Sequence, residues 1–218
     1  RHVELQKERL LERPLQRKKI TNDYFMLLSK KYKTIYADPP WNFKNWSDKG
    51  MMVLPVKGKG GGSKNAKMHY PCMSIKDICD IPVSDIADDD CVLLMWTTDP
   101  MLEMSFDVIK SWGFKYKTVG FVWAKTNKHK LGFFQGLGYW TRANPEYCLL
   151  ATKGSPKRVS SNVNTLVVSN RREHSRKPDE MHIYIEQLLE GPYIELFARS
   201  TKEGWDSWGN EITKFNEK

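Results

Sequence analysis

The sequence contains no long hydrophobic run, and this absence excludes the membrane-spanning classes of protein. Within its 218 residues, no stretch approaches the roughly eighteen apolar residues that a transmembrane helix needs. The N-terminal residues also lack the apolar segment of a secretory signal peptide. We therefore expect a soluble intracellular protein, cytoplasmic or nuclear, that has no contact with membranes.

The few cysteines lack the spacing of metal centres and disulfide frameworks. Cys72, Cys79, Cys91 and Cys148 form no C-x-x-C pair and have no paired histidines near them. Cys91 and Cys148 lie inside apolar runs, where cysteine is usually a small core residue. We expect neither a disulfide nor a zinc site.

A phosphate-binding glycine loop is also missing. Ser47–Lys67 contains Lys-Gly-Lys-Gly-Gly-Gly-Ser-Lys, which fits neither G-x-x-x-x-G-K-[ST] nor G-x-G-x-x-G. Its composition predicts a mobile surface loop. Because the loop is rich in lysine, a contact with nucleic acid is the alternative.

Acidic residues are outnumbered, and the basic surplus is concentrated near the N-terminus. Lysine and arginine total 35 against 26 aspartates and glutamates, which gives a net charge of +9. Residues 1–33 contain ten basic and four acidic side chains. This charge suits a phosphate backbone, because binding releases counterions. Leucines at near-helical spacing also predict an amphipathic surface helix, and the two interpretations are compatible.

The rest of the chain alternates between strands and helices in the manner of a doubly wound α/β domain. The predicted strands are Thr34–Ala37, Cys91–Thr97, Val119–Ala124, Tyr147–Thr152 and Tyr193–Arg199. Capping signals predict helices at 75–79 after Ser74, from Asp99 to Trp112, and from Pro178 to Leu189. A core of one domain follows from this pattern and length.

The junction Asp38-Pro39-Pro40-Trp41 at the end of the first strand carries the strongest chemical signal. An exocyclic amine on an aromatic ring is a poor nucleophile, so a catalyst must draw its lone pair out of the ring plane. Asp38 can accept one amine hydrogen and the Pro39 carbonyl the other, while both prolines fix the backbone. Trp41 would offer a flat face to the base. A plain Asp-Pro-Pro turn is the alternative.

Two later segments have compositions suited to anions or bases. Lys125–Trp140 mixes lysines, histidine, glycines and aromatics, which can contact phosphates and stack on unpaired bases. For at least half of its aromatic side chains we favour simple packing on the domain; they are Phe133, Phe134, Tyr139 and Trp140. Ser169–Lys177 places five basic side chains before a helix N-terminus, which predicts an anion site.

Seven blocks between about Tyr32 and Glu211 together identify a family resemblance. They are Ala-Asp-Pro-Pro-Trp at 37–41, His-Tyr-Pro-Cys-Met-Ser at 69–74, Gly-Tyr-Trp-Thr-Arg at 138–142, Glu-Tyr-Cys-Leu-Leu-Ala-Thr-Lys-Gly at 146–154, His-Ser-Arg-Lys-Pro-Asp-Glu at 174–180, Ile-Glu-Leu-Phe-Ala-Arg at 194–199 and Gly-Trp-Asp-Ser-Trp-Gly-Asn-Glu at 204–211. With them the chain resembles the adenine-N6 methyltransferases, a family that includes the catalytic subunit of the eukaryotic messenger-RNA methyltransferase and many bacterial and phage DNA methyltransferases.

The resemblance implies a Rossmann-like α/β methyltransferase fold with its motifs in circularly permuted order. The catalytic block then precedes the main cofactor-binding block, the methyl donor is S-adenosylmethionine, and no metal is implied. It also implies a division of the chain into a basic helical extension, residues 1–31, and a methyltransferase domain, residues 32–218.

Individual site residues follow from the same resemblance. Asp38 matches a position beside the target amine and the methionyl end of the donor, and Lys177 matches one that pairs with the donor carboxylate. The positions around the donor's ribose and adenine are Glu195, Arg199, Asn210 and Glu211. The positions on the substrate side are Tyr70, in a loop that closes over the adenine, Trp140 and Arg142. Thr201 and Lys202 replace a His-Asn pair of the messenger-RNA enzyme, so the resemblance does not extend to those two contacts.

Each assignment has a structural alternative. Lys177 and Arg199 could be surface or phosphate-facing cations, Glu195 a paired strand carboxylate and Tyr70 a packing residue. For Trp205 and Trp208 we expect ordinary core positions.

The expected reaction is in-line methyl transfer to adenine N6, with the base held out of any duplex near Trp41 and Tyr70. The blocks at 138–142 and 204–211 look more like the bacterial and phage members, which favours DNA over RNA. A nucleic-acid-binding subunit and a small-molecule methyltransferase are the other hypotheses. The intact Asp38–Trp41 block argues against the first and the charge against the second. A homodimer, or a heterodimer with a related subunit, stays open.

Overall fold

Seven strands and three α-helices make up the described part of the chain. The computed structural model of the protein describes residues 29–42, 72–136, 138, 140–173 and 176–216. In chain order the elements are β1 Tyr32–Ala37, α1 Ile75–Cys79, β2 Ala87–Thr97, α2 Leu102–Ser111, β3 Lys115–Thr126, β4 Glu146–Lys153, β5 Leu166–Asn170, α3 Glu180–Leu188, β6 Tyr193–Leu196 and β7 Trp205–Trp208. The predicted N-terminal helix, the Gly-rich loop and Tyr70 lie outside the described residues.

All seven strands belong to one mixed sheet, in the order β5-β3-β4-β2-β1-β6-β7. β1 is parallel to β2 and β6, β6 to β7, and β3 to β5. β4 is antiparallel to both of its neighbours, β2 and β3. Six strands therefore run in one direction, and β4 runs in the other. The carboxyl ends of these six strands and the first residue of β4 lie along the same end of the sheet, at the strand termini. We call this end the carboxyl edge.

The predicted strands are confirmed as β1 to β4 and β6, with corrections. β6 ends at Leu196 instead of Arg199, because Phe197 has φ of 62°, a left-handed conformation that a strand does not continue through. The doubly wound pattern did not predict the reversal of β4, which follows from its direct connection to β3. β5 and β7, which are five and four residues long, were not predicted.

The helices begin close to their predicted capping residues. The Ser74 hydroxyl accepts a hydrogen bond from the Asp77 amide at 3.1 Å, so Ser74 caps α1 as predicted. The predicted helix begins as a 3-10 turn at Asp99–Met101 and continues as α2. α2 ends shortly before Gly113, whose φ of 83° is left-handed. α3 begins at Glu180, two residues later than the predicted opening at Pro178.

The central strands are buried on both faces, and alternate residues enter two different packing layers. Ile35 of β1 packs in the layer with α1 and α2, and Tyr36 packs in the layer with α3. Trp205 and Trp208 are buried, as predicted, and enter opposite layers. Cys91 and Cys148 are fully buried core residues. Across the described ranges, no helix is long and apolar enough to cross a membrane.

Candidate active site

Four charged side chains of alternating sign form a chain of ion pairs at the carboxyl edge. Lys177 Nζ lies 2.7 Å from Asp38 Oδ2 and 3.2 Å from Glu146 Oε2. Lys125 Nζ lies 2.6 Å from the other oxygen of Glu146. The four side chains are only 10–16% exposed, so water screens their interactions weakly. Two positive and two negative groups balance, which is the condition for burying charge.

The topology of the sheet explains why these side chains meet. Asp38 directly follows β1, and Lys125 is the penultimate residue of β3. Glu146 is the first residue of β4, and because β4 is reversed, its beginning lies at the same edge as the end of β3. Lys177 approaches from the segment before α3. Three strand ends and one connecting segment thus build the site.

The charge state of Glu146 is fixed by its two partners. Burial by itself raises the pKa of this carboxyl group, but the charges of Lys177 and Lys125, together with their hydrogen bonds, outweigh it and lower the pKa to about 2. Glu146 is therefore ionised across the physiological range. As a permanent anion it holds both ammonium groups in place.

The Asp38-Pro39-Pro40-Trp41 turn is held by its own backbone hydrogen bonds. The Pro39 carbonyl accepts one from the Trp41 amide at 2.8 Å, and the Pro40 carbonyl accepts one from Met73 at 2.9 Å. Since a carbonyl oxygen has two lone pairs, Pro39 keeps one acceptor position for a ligand. The turn is thus compatible with the predicted pair of acceptors, Asp38 and Pro39. One lone pair of the Pro39 carbonyl is used by the Trp41 amide, and the other can accept a hydrogen bond from a ligand.

Trp41 does not offer the open ring face that the sequence predicted. Its side chain is 4% exposed, and the indole N–H donates to the Trp96 carbonyl at 3.0 Å. Trp96 is itself fully buried, and its indole N–H donates to the Tyr36 hydroxyl at 2.6 Å. The Lys177 ammonium lies 5.5 Å from the centre of a Trp96 ring. In this structure the tryptophans therefore form the wall behind the charged groups.

Arg199, Asn210 and Glu211, predicted around the donor, lie beyond the ends of β6 and β7. Because these strands are parallel neighbours, their following residues converge, and Arg199 Nε lies 3.9 Å from Glu211 Oε2. Gly209 makes this approach possible, since a Cβ atom there would lie 2.7 Å from the Ala198 carbonyl oxygen. Asn210 is exposed beside them.

Glu195 differs from the other predicted donor contacts because it lies within β6 and is paired. Its carboxylate lies 2.8 Å from His182 Nε2 of α3. His182 in turn packs edge-on between the rings of Tyr36 and Trp205. This arrangement is the paired strand carboxylate that was the alternative for Glu195.

The predicted substrate residues Trp140 and Arg142 lie on the loop between β3 and β4. Trp140 is 93% exposed and Phe133 is 59% exposed, so neither packs on the domain, whereas Phe134 is partly buried. Because Tyr139 lies outside the described residues, the expected packing of at least half of these four aromatics stays a prediction. Arg142 is exposed as well.

The anion site predicted before α3 is filled by the chain's own carboxylates. Arg172 and Arg176 both form ion pairs with Asp179, and Arg176 also pairs with Glu173. Lys177 contributes to the chain of ion pairs with Asp38 and Glu146 instead. The described basic residues of this segment therefore do not act together, and His174 lies outside the described residues.

The sequence analysis missed Glu146, Lys125, Trp96 and His182 as site residues. A signal for two of them was present, since Glu146 and Lys125 are single charged residues at the ends of apolar strands. Only the reversal of β4 brings them together, and the reversal had no local signal. Nothing in the sequence distinguished Trp96 from an ordinary core residue or His182 from an ordinary surface residue.

The fold is a Rossmann-like α/β fold, and the candidate site lies at its carboxyl edge, as ligand sites do in such sheets. The family model described as MT-A70 matches residues 32–211. The chain therefore belongs to the MT-A70 family.

Three relatives show the range of similarity. A Mycoplasma protein named type II methyltransferase M.MunI is 38% identical over 194 residues, which are 84% of this chain and 78% of that protein. A putative N(6)-adenosine-methyltransferase MT-A70-like protein of Medicago truncatula is 31% identical over 84% of this chain and 27% of its own length. The human N(6)-adenosine-methyltransferase catalytic subunit METTL3 is 27% identical over 84% of this chain and 28% of its own length. The chain thus spans little more than a quarter of the two eukaryotic proteins.

The predicted family, fold class and enzyme class are confirmed by these matches. The protein is a methyltransferase of the MT-A70 family with a Rossmann-like mixed sheet.

Proposed function

We propose that this enzyme transfers a methyl group from S-adenosylmethionine to the N6 amine of adenine in DNA. The observation that carries the proposal is the partly buried ion pair at the carboxyl edge between Lys177 and Asp38, the first residue of the Asp-Pro-Pro-Trp turn. The Asp38 carboxylate can accept a hydrogen bond from the target amine, and the Lys177 ammonium group can bind the carboxylate of the methyl donor. The reaction needs both functions.

The residues around the edge have the chemistry that the donor requires. Lys177 supplies an ammonium group for the donor's carboxylate, and Glu211 supplies a carboxylate that can accept hydrogen bonds from a ribose diol. Lys214 holds Glu211, with its Nζ 2.7 and 2.8 Å from the two carboxylate oxygens, and Arg199 Nε lies 3.9 Å from one of them. The Asn210 amide can both donate to and accept from an adenine ring. Glu195 also matches the donor region but is held by His182 in this structure. When bound, S-adenosylmethionine supplies an electrophilic methyl group on its sulfonium.

Asp38 and Pro39 activate the amine in this proposal. A carboxylate has room for about four hydrogen bonds, so Asp38 can accept one N6 hydrogen while it stays paired with Lys177. The second lone pair of the Pro39 carbonyl accepts the other hydrogen. Because both acceptors lie on a rigid turn, they localise the amine's lone pair without reorganisation during the reaction. After transfer the amine is cationic and acidic, and Asp38 or water takes the proton.

The base must leave any duplex to reach this site, because N6 is otherwise paired and stacked. Trp140 and Arg142, which are exposed on the loop between β3 and β4, are proposed contacts of the nucleic acid, and Tyr70 is a third outside the described residues. We further propose that residues 1–31 form a basic extension to the domain that begins at residue 32. We also propose that the enzyme acts in the cytoplasm or nucleus, where the proposed substrate is found.

DNA is favoured by the blocks at 138–142 and 204–211 and by the higher identity to the Mycoplasma methyltransferase. RNA is the second candidate, because the plant and human relatives are named N(6)-adenosine-methyltransferases. A homodimer, or a heterodimer with a related subunit, is compatible with either substrate.

The test is methyl incorporation from labelled S-adenosylmethionine into oligonucleotides of one sequence made as single-stranded DNA, duplex DNA and RNA. An oligonucleotide without adenine and the variant Asp38→Asn are the controls. Incorporation into DNA that requires both adenine and Asp38 supports the proposal. Incorporation into RNA alone selects the second candidate, and no incorporation by folded protein overturns both.

A further inference from the structure

A buried hydroxyl group lies behind the charged groups of the site. Tyr36 is 2% exposed and belongs to the core layer that contains α3. Burying a hydroxyl costs free energy unless it forms a hydrogen bond. The Tyr36 hydroxyl accepts one from the Trp96 indole N–H at 2.6 Å, which joins the neighbouring strands β1 and β2. A phenylalanine would fill nearly the same space without the cost of burial, so the hydroxyl indicates a role other than packing.

The Tyr36 hydroxyl stays neutral and acts as a hydrogen-bonding group. Burial raises the pKa of Tyr36 well above its ordinary value, and the nearby carboxylates of Glu195 and Asp38 raise it further. The hydroxyl therefore keeps its proton across the physiological range and is unsuited to proton transfer. The effect of Asp38 also shows that the hydroxyl lies within electrostatic reach of the Asp-Pro-Pro-Trp turn.

The Tyr36 ring is held in one orientation from the side of α3. His182 of α3 meets the ring edge-on, with ring centres 5.7 Å apart, and Trp205 of β7 does so at 6.2 Å. The Glu195 carboxylate fixes His182 in turn, at 2.8 Å from Nε2. Because edge-to-face contacts specify an orientation as well as a distance, the Tyr36 hydroxyl has a defined position.

Trp96, the partner of this hydroxyl, contacts two parts of the candidate site. Its carbonyl accepts a hydrogen bond from the Trp41 indole at 3.0 Å, which ties its backbone to the Asp-Pro-Pro-Trp turn. Its side chain presents a ring face to Lys177, whose Nζ lies 5.5 Å from the ring centre. The attraction between a cation and an indole requires that the ring face be turned towards the charge. Rotation of the Trp96 side chain would therefore remove it.

We propose that Tyr36 is a positioning residue for the methyl donor: by accepting the hydrogen bond from the Trp96 indole, it keeps the Trp96 ring face turned towards the Lys177 ammonium group. Asp38 and Glu146 hold the same ammonium group by ion pairs. Trp96 adds an attraction that brings no further negative charge to the place where a carboxylate binds. The inference rests on the proposed function, in which Lys177 binds the carboxylate of S-adenosylmethionine.

Tyr36→Phe tests the proposal, since it removes one oxygen atom and leaves the Trp96 indole N–H without this acceptor. Calorimetric titration with S-adenosylmethionine should give an affinity about three- to thirtyfold below that of wild type, the range that a desolvated cation–π contact covers. In steady-state methyl transfer the KM for the donor should rise by a similar factor. The KM for the oligonucleotide and kcat should stay at their wild-type values, because the lost contact is one of donor binding.

Tyr32→Phe is the matched control, since it removes a hydroxyl from the other end of the same strand. The Tyr32 hydroxyl donates to Asp206 Oδ2 at 2.8 Å, and the Tyr32 side chain is fully buried. The control should leave donor affinity unchanged, even where it lowers the free energy of unfolding as much as Tyr36→Phe does. Equal losses of donor affinity from the two variants would mean that donor binding follows stability, and the proposal would be overturned.

A double variant shows whether Tyr36 acts through Trp96. Trp96→Phe removes the indole N–H, so adding Tyr36→Phe to it should lower donor affinity by less than Tyr36→Phe does in the wild type. Free energies of unfolding, measured without donor, should be non-additive in the same way. An undiminished effect of Tyr36→Phe in the Trp96→Phe background would show that Tyr36 acts independently of the indole, which contradicts the proposal. The comparison of Tyr36→Phe with Tyr32→Phe retains every aromatic ring and decides without the double variant.

Lys177→Met separates failure of this inference from failure of the proposed function. If Lys177→Met weakens donor binding and Tyr36→Phe does not, Lys177 keeps its proposed role and the positioning by Tyr36 is wrong. If Lys177→Met leaves donor affinity unchanged, the donor contact in the proposed function is itself refuted, and this inference fails with it.

Discussion

Lys177 Nζ lies 2.7 Å from Asp38 Oδ2, although 139 positions separate the two residues in the chain. The contact joins the turn after β1 to the segment before α3 and positions both groups before any ligand binds. Asp38 and Glu146 fix the position of the Lys177 ammonium group at the carboxyl edge, where the proposed donor carboxylate would bind.

Asp38→Asn should reduce turnover by at least about a hundredfold, the scale of losing one preorganised electrostatic contact. The amide keeps the shape of the carboxylate but loses its charge, so the fold should remain. Single-turnover methyl transfer to an adenine oligonucleotide measures the effect. Asp107→Asn, on the exposed side of α2, is the matched control and should keep full activity. A variant that retains more than a tenth of the wild-type rate would remove Asp38 from the catalytic role.

Lys177→Met should weaken S-adenosylmethionine binding by about 1.5 to 3 kcal/mol, the value of a hydrogen bond between charged groups. Methionine keeps much of the aliphatic packing and removes the ammonium group. Titration calorimetry measures the affinity, and Lys110→Met, on the surface of α2, serves as the control. Unfolding in denaturant must be followed in parallel, because the change also leaves Asp38 without this partner. Equal donor affinity in a folded variant would contradict the assignment.

The sequence predicted the site to the extent that local chemistry determines it. Asp38 and its prolines could be interpreted from four adjacent residues, and the strand before them from its apolar character. Lys177 required the family resemblance, because no local pattern separates it from the neighbouring Arg176. Glu146 could not be predicted, since its role depends on the reversal of β4. The reversal depends on pairing between strands that are distant in sequence. The short sequence patterns from which strands are predicted carry no information about such pairing.

Gly209→Ala should destabilise the fold by about 1 to 3 kcal/mol, the usual cost of overpacking. The added Cβ would lie 2.7 Å from the Ala198 carbonyl oxygen and 2.9 Å from its amide nitrogen. Because Asn210 and Glu211 follow directly, donor affinity should fall as well. Gly204→Ala is a useful comparison, since no neighbouring atom lies within 4 Å there and only the strain of φ at 80° is added. Denaturant unfolding of both variants gives the difference, and equal stability of Gly209→Ala and wild type would contradict the prediction.

Glu146→Gln should destabilise the protein by about 3 kcal/mol, because it leaves Lys125 and Lys177 with one carboxylate between them. Lys125→Met should cost less in the Glu146→Gln background than in the wild type, since it then removes an unpaired charge. The two single variants and the double variant form a cycle whose coupling energy is expected at about 0.5 to 3 kcal/mol. Strictly additive free energies of unfolding would mean that the contact between Lys125 and Glu146 contributes nothing.

The stability that Glu146 provides should disappear in acid over a defined range of pH. Burial opposes its charge, but Lys177 and Lys125 lower its pKa from an ordinary 4.5 to about 2 in the folded protein. A depressed folded-state pKa means that the unfolded chain takes up a proton first. The contribution of the group is therefore complete above pH 4.5 and declines as the pH falls towards 2, by up to about 1.4 kcal/mol per pH unit.

Other carboxyl groups with lowered pKa values, such as Asp206 and Glu173, also respond to acid, so the wild-type curve alone does not isolate Glu146. The informative quantity is the difference in unfolding free energy between wild type and Glu146→Gln, measured in denaturant at several values between pH 7 and pH 3. Glutamine cannot titrate, and the other groups cancel in the difference. We expect this difference to be constant down to about pH 5 and to shrink below it. A difference that stays constant to pH 3 would show that the ion pairs do not hold Glu146 in its ionised state.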